Sequence, residues 1–391
     1  MSRPKLDDDL QQMTEYCTYC PKMCRFSCPT AAAEGRETST PWGMMRLLEM
    51  CQDGSVPVDA DVARAFYHCT GCRRCQSFCN HDNDVPRALW EARRQSVQMG
   101  FLPKSMLPIH DAFQDHATPH GPLDEPARDH LQRAKDEVFD DQGTVAFWPD
   151  CSTVAHHPQL IAPIGRLIAR ATGEPVRLIT DDVVDHPPCC GFPLTAAGIA
   201  TADDCADDLW PAFDGVERIF SDCAALAAWQ RDDASWQVDA DDHPPIAHIY
   251  DLICDHLSEL GNPPNPLDGA DALLHHSCLV QRQLKAQDQV QTIVDHIFDT
   301  TPSAMAYDGD ESQCCGGQIA YRRLEPTASK KAATTVLQSL ERNPDQQRLL
   351  TTSSGCATAL NDASGCHGDA GDSPTATLLS WVCEAYDLLA S

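Results

Sequence analysis

Two four-cysteine runs near the start of the chain, Cys17-x2-Cys20-x3-Cys24-x3-Cys28 and Cys69-x2-Cys72-x2-Cys75-x3-Cys79, have spacings with a definite chemical use. One turn of backbone at this spacing offers three thiolates to the corners of an iron–sulfur cube, and the fourth, a helical turn on, reaches a neighbouring cluster. The expected pairing places Cys17, Cys20, Cys24 and Cys79 on one [4Fe-4S] cluster and Cys69, Cys72, Cys75 and Cys28 on a second. Cys28-Pro29 matches the bacterial ferredoxin ending; the extra residue before Cys24 and Asn80 in place of a proline depart from it. Zinc sites present two separated pairs rather than such runs, which favours iron. Two adjacent cubes without a substrate site of their own serve electron transfer.

A second pattern fills the rest of the chain. Cys151 is followed by Cys189-Cys190-Gly191 and then Cys223; Cys278 is followed by Cys314-Cys315-Gly316 and then Cys356. The two constellations lie about 127 residues apart, as an internal duplication would place them. Each reads as a four-thiolate site, so up to two further clusters are expected. Buried, inert cysteine is the competing reading for one such motif. Two matched sets favour a ligand role. His156, His157, His275 and His276 flank the single cysteines, and histidine can ligate such clusters; hydrogen-bonding roles are the commoner use.

The elements that must position these residues follow from periodicity. Thr40 and Pro41 start a helix with Met44, Leu47, Leu48 and Cys51 at i, i+3, i+4 and i+7, which makes Cys51 a core residue. Helices around Val62–Phe66 and from Pro86 complete an α-helical domain over residues 1–105. Residues 106–143 hold an Asp/His/Pro-rich stretch, 110–142, that reads as a linker or irregular lid. Beyond it, β-rich runs at 145–148, 176–179, 216–220, 273–274 and 349–352 alternate with helical spacing at 160–171 and 290–297. Amphipathic helices at 249–257 and 378–389 close two α/β lobes, 144–262 and 263–391. The fold class is therefore α+β multidomain. The single cysteines sit where strands end and each Cys-Cys-Gly precedes a helix, where open α/β sheets collect ligands.

Composition narrows the function. Twenty-one cysteines are too many for inert use, and 391 residues make too long a chain for a disulfide scaffold. The chain has 58 acidic against 29 basic residues, a formal charge of −29, which argues against nucleic acid or an anionic membrane as main partner. With no signal peptide and no apolar run of spanning length, a reducing, cytoplasmic setting is expected. No Gly-x-Gly-x-x-Gly or phosphate loop occurs, so flavin or nicotinamide binding by this chain is not expected.

The chain resembles the cysteine-rich-domain iron–sulfur proteins: the iron–sulfur subunits of glycolate oxidase and of anaerobic glycerol-3-phosphate dehydrogenase, the lactate-utilisation iron–sulfur protein and the heterodisulfide reductase subunits. The likeness rests on Cys17-Thr-Tyr-Cys20, Cys28-Pro-Thr30, Cys69-Thr-Gly-Cys72, Cys189-Cys190-Gly191-Phe-Pro-Leu194, His275-His-Ser-Cys278, Cys314-Cys315-Gly316-Gly317 and Ser354-Gly355-Cys356. It implies a relay from an FAD-linked dehydrogenase subunit to a quinone or soluble carrier, at the membrane only through a partner. Heterodisulfide reductase-like members complete each site with a fifth cysteine, in Cys-x2-Cys. Here Cys223 precedes Ala224-Ala225-Leu226 and Cys356 precedes Ala357-Thr358-Ala359, which favours four-ligand relays over disulfide cleavage. Cys205, Cys254, Cys366 and Cys383 remain as substitutes, with core packing the better expectation for Cys254 and Cys383.

Overall fold

The computed structural model describes residues 3–21, 24–180, 186–199, 213–232, 244–342, 345, 347–365 and 374–389. Short polar residues set the N-terminal helices. Asp7 accepts from Leu10 N at 2.8 Å to cap Asp8–Tyr19, and Thr40 Oγ1 accepts from Gly43 N at 3.0 Å to cap Pro41–Asp53; each such cap contributes about 1 kcal/mol. Asp59 caps Ala60–Phe66 and Asp84 caps Val85–Gln98. Met44, Met45, Leu48 and Cys51 meet Phe66, Leu89 and Ala92 in one apolar core. Cys51 is 1% exposed and takes the packing role its helical spacing implies.

The remainder holds two four-stranded, all-parallel sheets. The first uses Val145–Phe147, Val176–Leu178, Arg218–Ser221 and Ile246–His248; the second uses Ala272–His275, Ser303–Ala304, Arg348–Thr351 and Thr375–Thr377. In both, the strands lie in the order second, first, third, fourth. Helices Ile161–Thr172 and Gln287–Ile297 follow the first strand of their sheets in sequence, the former closed by left-handed Gly173. Phe147, Ile164 and Leu167 share one core with Leu274, Ile293, Leu350 and Leu378, so the lobes are fused and packing does not break at residue 262. Cys383 is fully buried in that core, and half-buried Cys254 donates to Gln289 O at 3.7 Å. Cys205 and Cys366 lie outside the described residues.

The segment 106–143 corrects the reading as a linker. It contains helices Leu107–His116 and Glu125–Val138, the second capped by Asp124 and packed through Ala127, Leu131 and Ala134 into the shared core. Its apolar positions are mostly alanines, which weakened the periodic signal against the surrounding Asp, His and Pro. The strands Ile246–His248, Ser303–Ala304 and Thr375–Thr377 gave no strand signal either, because two or three residues cannot display a period.

Candidate metal centres

The thiols of the N-terminal domain gather in two sets. Cys24 faces Cys17, Cys79 and Cys20; Cys75 faces Cys72, Cys69 and Cys28, with Cys24 beyond them. The sets are therefore neighbours. The first is half-buried, while in the second Cys28, Cys72 and Cys75 are buried. Burial pushes the Cys28 and Cys69 thiols up to about 12, so these groups ionise only when a cation takes the thiolate. Donors already face the sulfurs: Asn83 Nδ2 lies 3.3 Å from Cys17 Sγ, and Gly71 N lies 3.3 Å from Cys69 Sγ. Gly71 has φ +75°, and a Cβ there would stand 2.8 Å from Trp90 Cζ2. Only glycine allows that turn against that ring.

In the first lobe, Cys151, at the start of helix Cys151–His156, hydrogen-bonds Cys189, and Cys190 Sγ lies 3.9 Å from Cys223 Sγ. Hydrogen bonds from Cys189 and Cys223 hold the Cys190 thiol below its usual range. In the second lobe, Cys278 Sγ lies 4.0 Å from Cys314 Sγ and Cys315 Sγ lies 3.3 Å from Cys356 Sγ. Gly316 N points at Cys314 Sγ from 3.3 Å. The sequence implied two separate sites; the structure brings all eight cysteines to one cavity of about 590 Å³ between the lobes.

Both Cys-Cys-Gly loops are held by the carbonyl that precedes them. Trp148 Nε1 donates to Pro188 O at 2.8 Å, and Cys189 N donates to Ala117 O at 2.9 Å, so the segment first read as a linker positions this loop. In the second lobe His275 takes the equivalent part, with Nε2 on Gln313 O at 2.8 Å and Nδ1 on Thr351 Oγ1 at 2.9 Å. His275 thus orients a loop with both ring nitrogens engaged. His157 meets Thr358 Oγ1 at 3.1 Å, His276 meets Asp308 at 3.2 Å, and His156 meets His120 at 3.2 Å.

Residues 13–83 match the family model of a 4Fe-4S dicluster domain, and residues 272–361 match that of a cysteine-rich domain. The chain carries both domains. A protein of Bacillus subtilis (strain 168) named probable glycolate oxidase iron-sulfur subunit is 38% identical over 71 residues, which is 18% of this chain and 16% of that protein. The cofactors of the dicluster domain are [4Fe-4S] clusters.

The residues fit that cofactor. Two sets of four thiols with N–H donors aimed at sulfur suit multi-iron clusters, whose thiolates each bind a different iron and so spread wider than around one ion. Among the described residues no three His, Cys, Asp or Glu side chains converge as a single-ion site does. The dicluster domain also touches the cysteine-rich domain directly: the Cys72 thiol lies beside that of Cys314, and Thr70 Oγ1 lies 3.8 Å from Cys314 Sγ.

Two functional features escaped the sequence reading. Asp150, on the cavity wall, and Asp222 are neighbouring, half-buried residues, and Asp150 N donates to Asp222 Oδ1 at 2.6 Å. Burial, then the charge of Asp222, raises the Asp150 carboxyl above the usual range. The signal was legible, because Asp-Cys occurs at both Cys151 and Cys223. The second feature is a set of buried arginines around the dicluster loops, for which sequence gives no sign.

Proposed function

We propose that this chain is the electron-transfer subunit of a flavin-linked dehydrogenase of the glycolate, lactate or glycerol-3-phosphate type, passing electrons to a quinone or soluble carrier. The contact of Cys72 with Cys314 carries the reading, because it joins the dicluster domain to the cysteine-rich half without a gap. Cys17, Cys20, Cys24 and Cys79 hold one cluster, Cys28, Cys69, Cys72 and Cys75 the second. Cys151, Cys189, Cys190 and Cys223, and Cys278, Cys314, Cys315 and Cys356, form two further four-thiolate sites in duplicated lobes. Bound [4Fe-4S] clusters supply one-electron steps. The protein's own part is to fix their order: the half-buried first set faces a partner, the second lies inside, and the cavity takes the far end.

Anaerobic iron and acid-labile sulfide analysis with electron paramagnetic resonance tests this. About sixteen irons per chain, reduced by a copurifying flavoprotein, is the expected result; about eight restricts clusters to the dicluster domain and overturns the assignment at the lobes.

A second reading has one observation in its favour. Eight thiols on one cavity suit a disulfide or persulfide reductase, in which both lobe sites face the same substrate. Steady turnover of a disulfide with an artificial donor would establish it; none is expected where Leu226 and Ala359 stand in place of the two fifth cysteines.

A further inference from the structure

Three arginines are buried around the Cys69–Cys75 loop: Arg93 is fully buried, Arg74 is 4% exposed and Arg282 is 7% exposed. Arg93 donates to Phe66 O, Cys69 O and Ala196 O. Arg74 Nη1 donates to Ser27 O at 2.8 Å, one residue before Cys28, and its Nε reaches across to Glu311 O at 2.7 Å. Arg282 answers from the opposite side: Nε donates to Cys72 O at 2.5 Å, and Nη1 donates to Asp310 O and Ser312 O, each at 3.0 Å. Arg282 rides on a π-helical turn, Leu279–Gln283, directly after Cys278, a distortion that often marks function. Its neighbour Gln283 donates to Gly71 O at 3.2 Å.

Apart from Ser312 Oγ, which also accepts from Arg282 Nη1 at 3.0 Å, every acceptor of these arginines is a backbone carbonyl. Among the described residues none of the three arginines forms an ion pair with a carboxylate, and Arg282 Nη2 has no partner at all. A buried guanidinium without a counter-charge costs several kcal/mol, and here three occur together in a protein of charge −29. Arg93 lies over the Tyr67 ring and Arg74 over that of Tyr307, and the Glu311 carboxylate acts on Arg74 without pairing with it. The other groups they face are thiols: Arg93 acts on Cys69, and Arg74 and Arg282 both act on Cys72. Around Cys17 and Cys24, by contrast, the neighbours are Asn83 and one another's thiols.

We propose that Arg74, Arg93 and Arg282 make the site of Cys28, Cys69, Cys72 and Cys75 the positive node of the relay. Arg282 is shared with the adjacent Cys278/Cys314 site and ties the two loops in register. The inference rests on the ligand sets proposed above. Reduction adds one negative charge to a cluster already bearing net negative charge, so fixed cations nearby favour the reduced form and raise its potential. The second site is then reduced in preference to the first, which directs electrons inward.

The test is a potentiometric titration of the anaerobic holoprotein followed by electron paramagnetic resonance, with the signal removed by Cys75→Ala assigned to this site. Arg282→Gln is expected to lower that midpoint by at least a tenfold change in the reduction equilibrium, about 59 mV for one electron. The Cys17/Cys20/Cys24/Cys79 signal stays in place, and Arg282→Lys, which keeps the charge, stays nearer to wild type. An unshifted midpoint in Arg282→Gln with full iron content overturns the proposal. If Arg282→Gln loses iron, Arg74→Gln decides in the same way, a lowered midpoint supporting and an unchanged one overturning it. Absence of any Cys75-dependent signal in the wild type instead refutes the ligand sets.

Discussion

Glu34 shows how one side chain joins two domains. Its carboxylate, 1% exposed, accepts from His68 Nδ1 at 2.9 Å, Tyr321 Oη at 2.9 Å and Ser39, and Arg36 pairs with it at 2.7 Å. Burial alone would raise its pKa, yet the bonds from His68 and Ser39 outweigh burial and hold it at about 2. A folded pKa below the unfolded one gives stability that is present above about 4.5 and is lost as pH falls toward 2. Glu34→Gln is expected to cost about 2 kcal/mol at pH 7, read as a lowered denaturation midpoint. The gap to wild type narrows below pH 4.5, and a pH-independent gap would contradict the linkage. Gly71→Ala belongs to the same scale. Its Cβ would meet Trp90 and its φ is positive, so lower iron content and a melting temperature several degrees down are the expected readings.

At the scale of elements, helix Glu125–Val138 is the clearest case of order hidden by composition. Leu123, Ala127, Leu131 and Ala134 keep helical spacing, and Asp124 with Pro126 marks the start, but the Asp, Glu, Arg and Lys between them read as solvent-facing loop. Leu131→Ala should cost about 2–5 kcal/mol in chemical denaturation, since Leu131 is 3% exposed in the shared core; a loop would give a change within about 0.5 kcal/mol. The helices of the dicluster domain were legible for the opposite reason. Thr40-Pro41 and the Met44/Leu48/Cys51 stripe are local signals, and the structure answers them residue by residue. The π-helical turn at Leu279–Gln283 had none: its Arg282 and Gln283 bond to carbonyls of another domain, partners that no local pattern announces.

For the whole molecule, the clusters are expected to act as structural cross-links as well as carriers. The dicluster domain has a small core, grouped around Leu48, Phe66 and Leu89, whereas both lobes share a much larger one. Ligand binding to the native state adds to stability, and metal binding to thiolates is itself folding free energy. Removing iron with an oxidant and chelator should therefore expose residues 3–100 to limited proteolysis while the lobes stay intact. Simultaneous digestion of both parts would show that the cores are not independent. The net charge of −29 adds a kinetic expectation. Reduction by a partner with a basic docking face slows as ionic strength rises through roughly 0.05–0.3 M, where the Debye length falls below about 10 Å.

The sequence by itself marked out the cysteine runs whose spacing suits cluster ligation, and it placed Cys51, Cys254 and Cys383 on apolar helix faces, where they pack. Those facts are local: thiol spacing within a loop and apolar spacing along a helix are written in consecutive residues. Only the tertiary structure decided that Cys72 meets Cys314, that eight thiols open on one cavity, and that Arg74 bonds the loop before Cys314 while Arg282 bonds the loop of Cys72. These pairings span more than 200 positions. They depend on how two domains dock, and a guanidinium bonded to backbone carbonyls leaves no mark on the identity of the residue that accepts it.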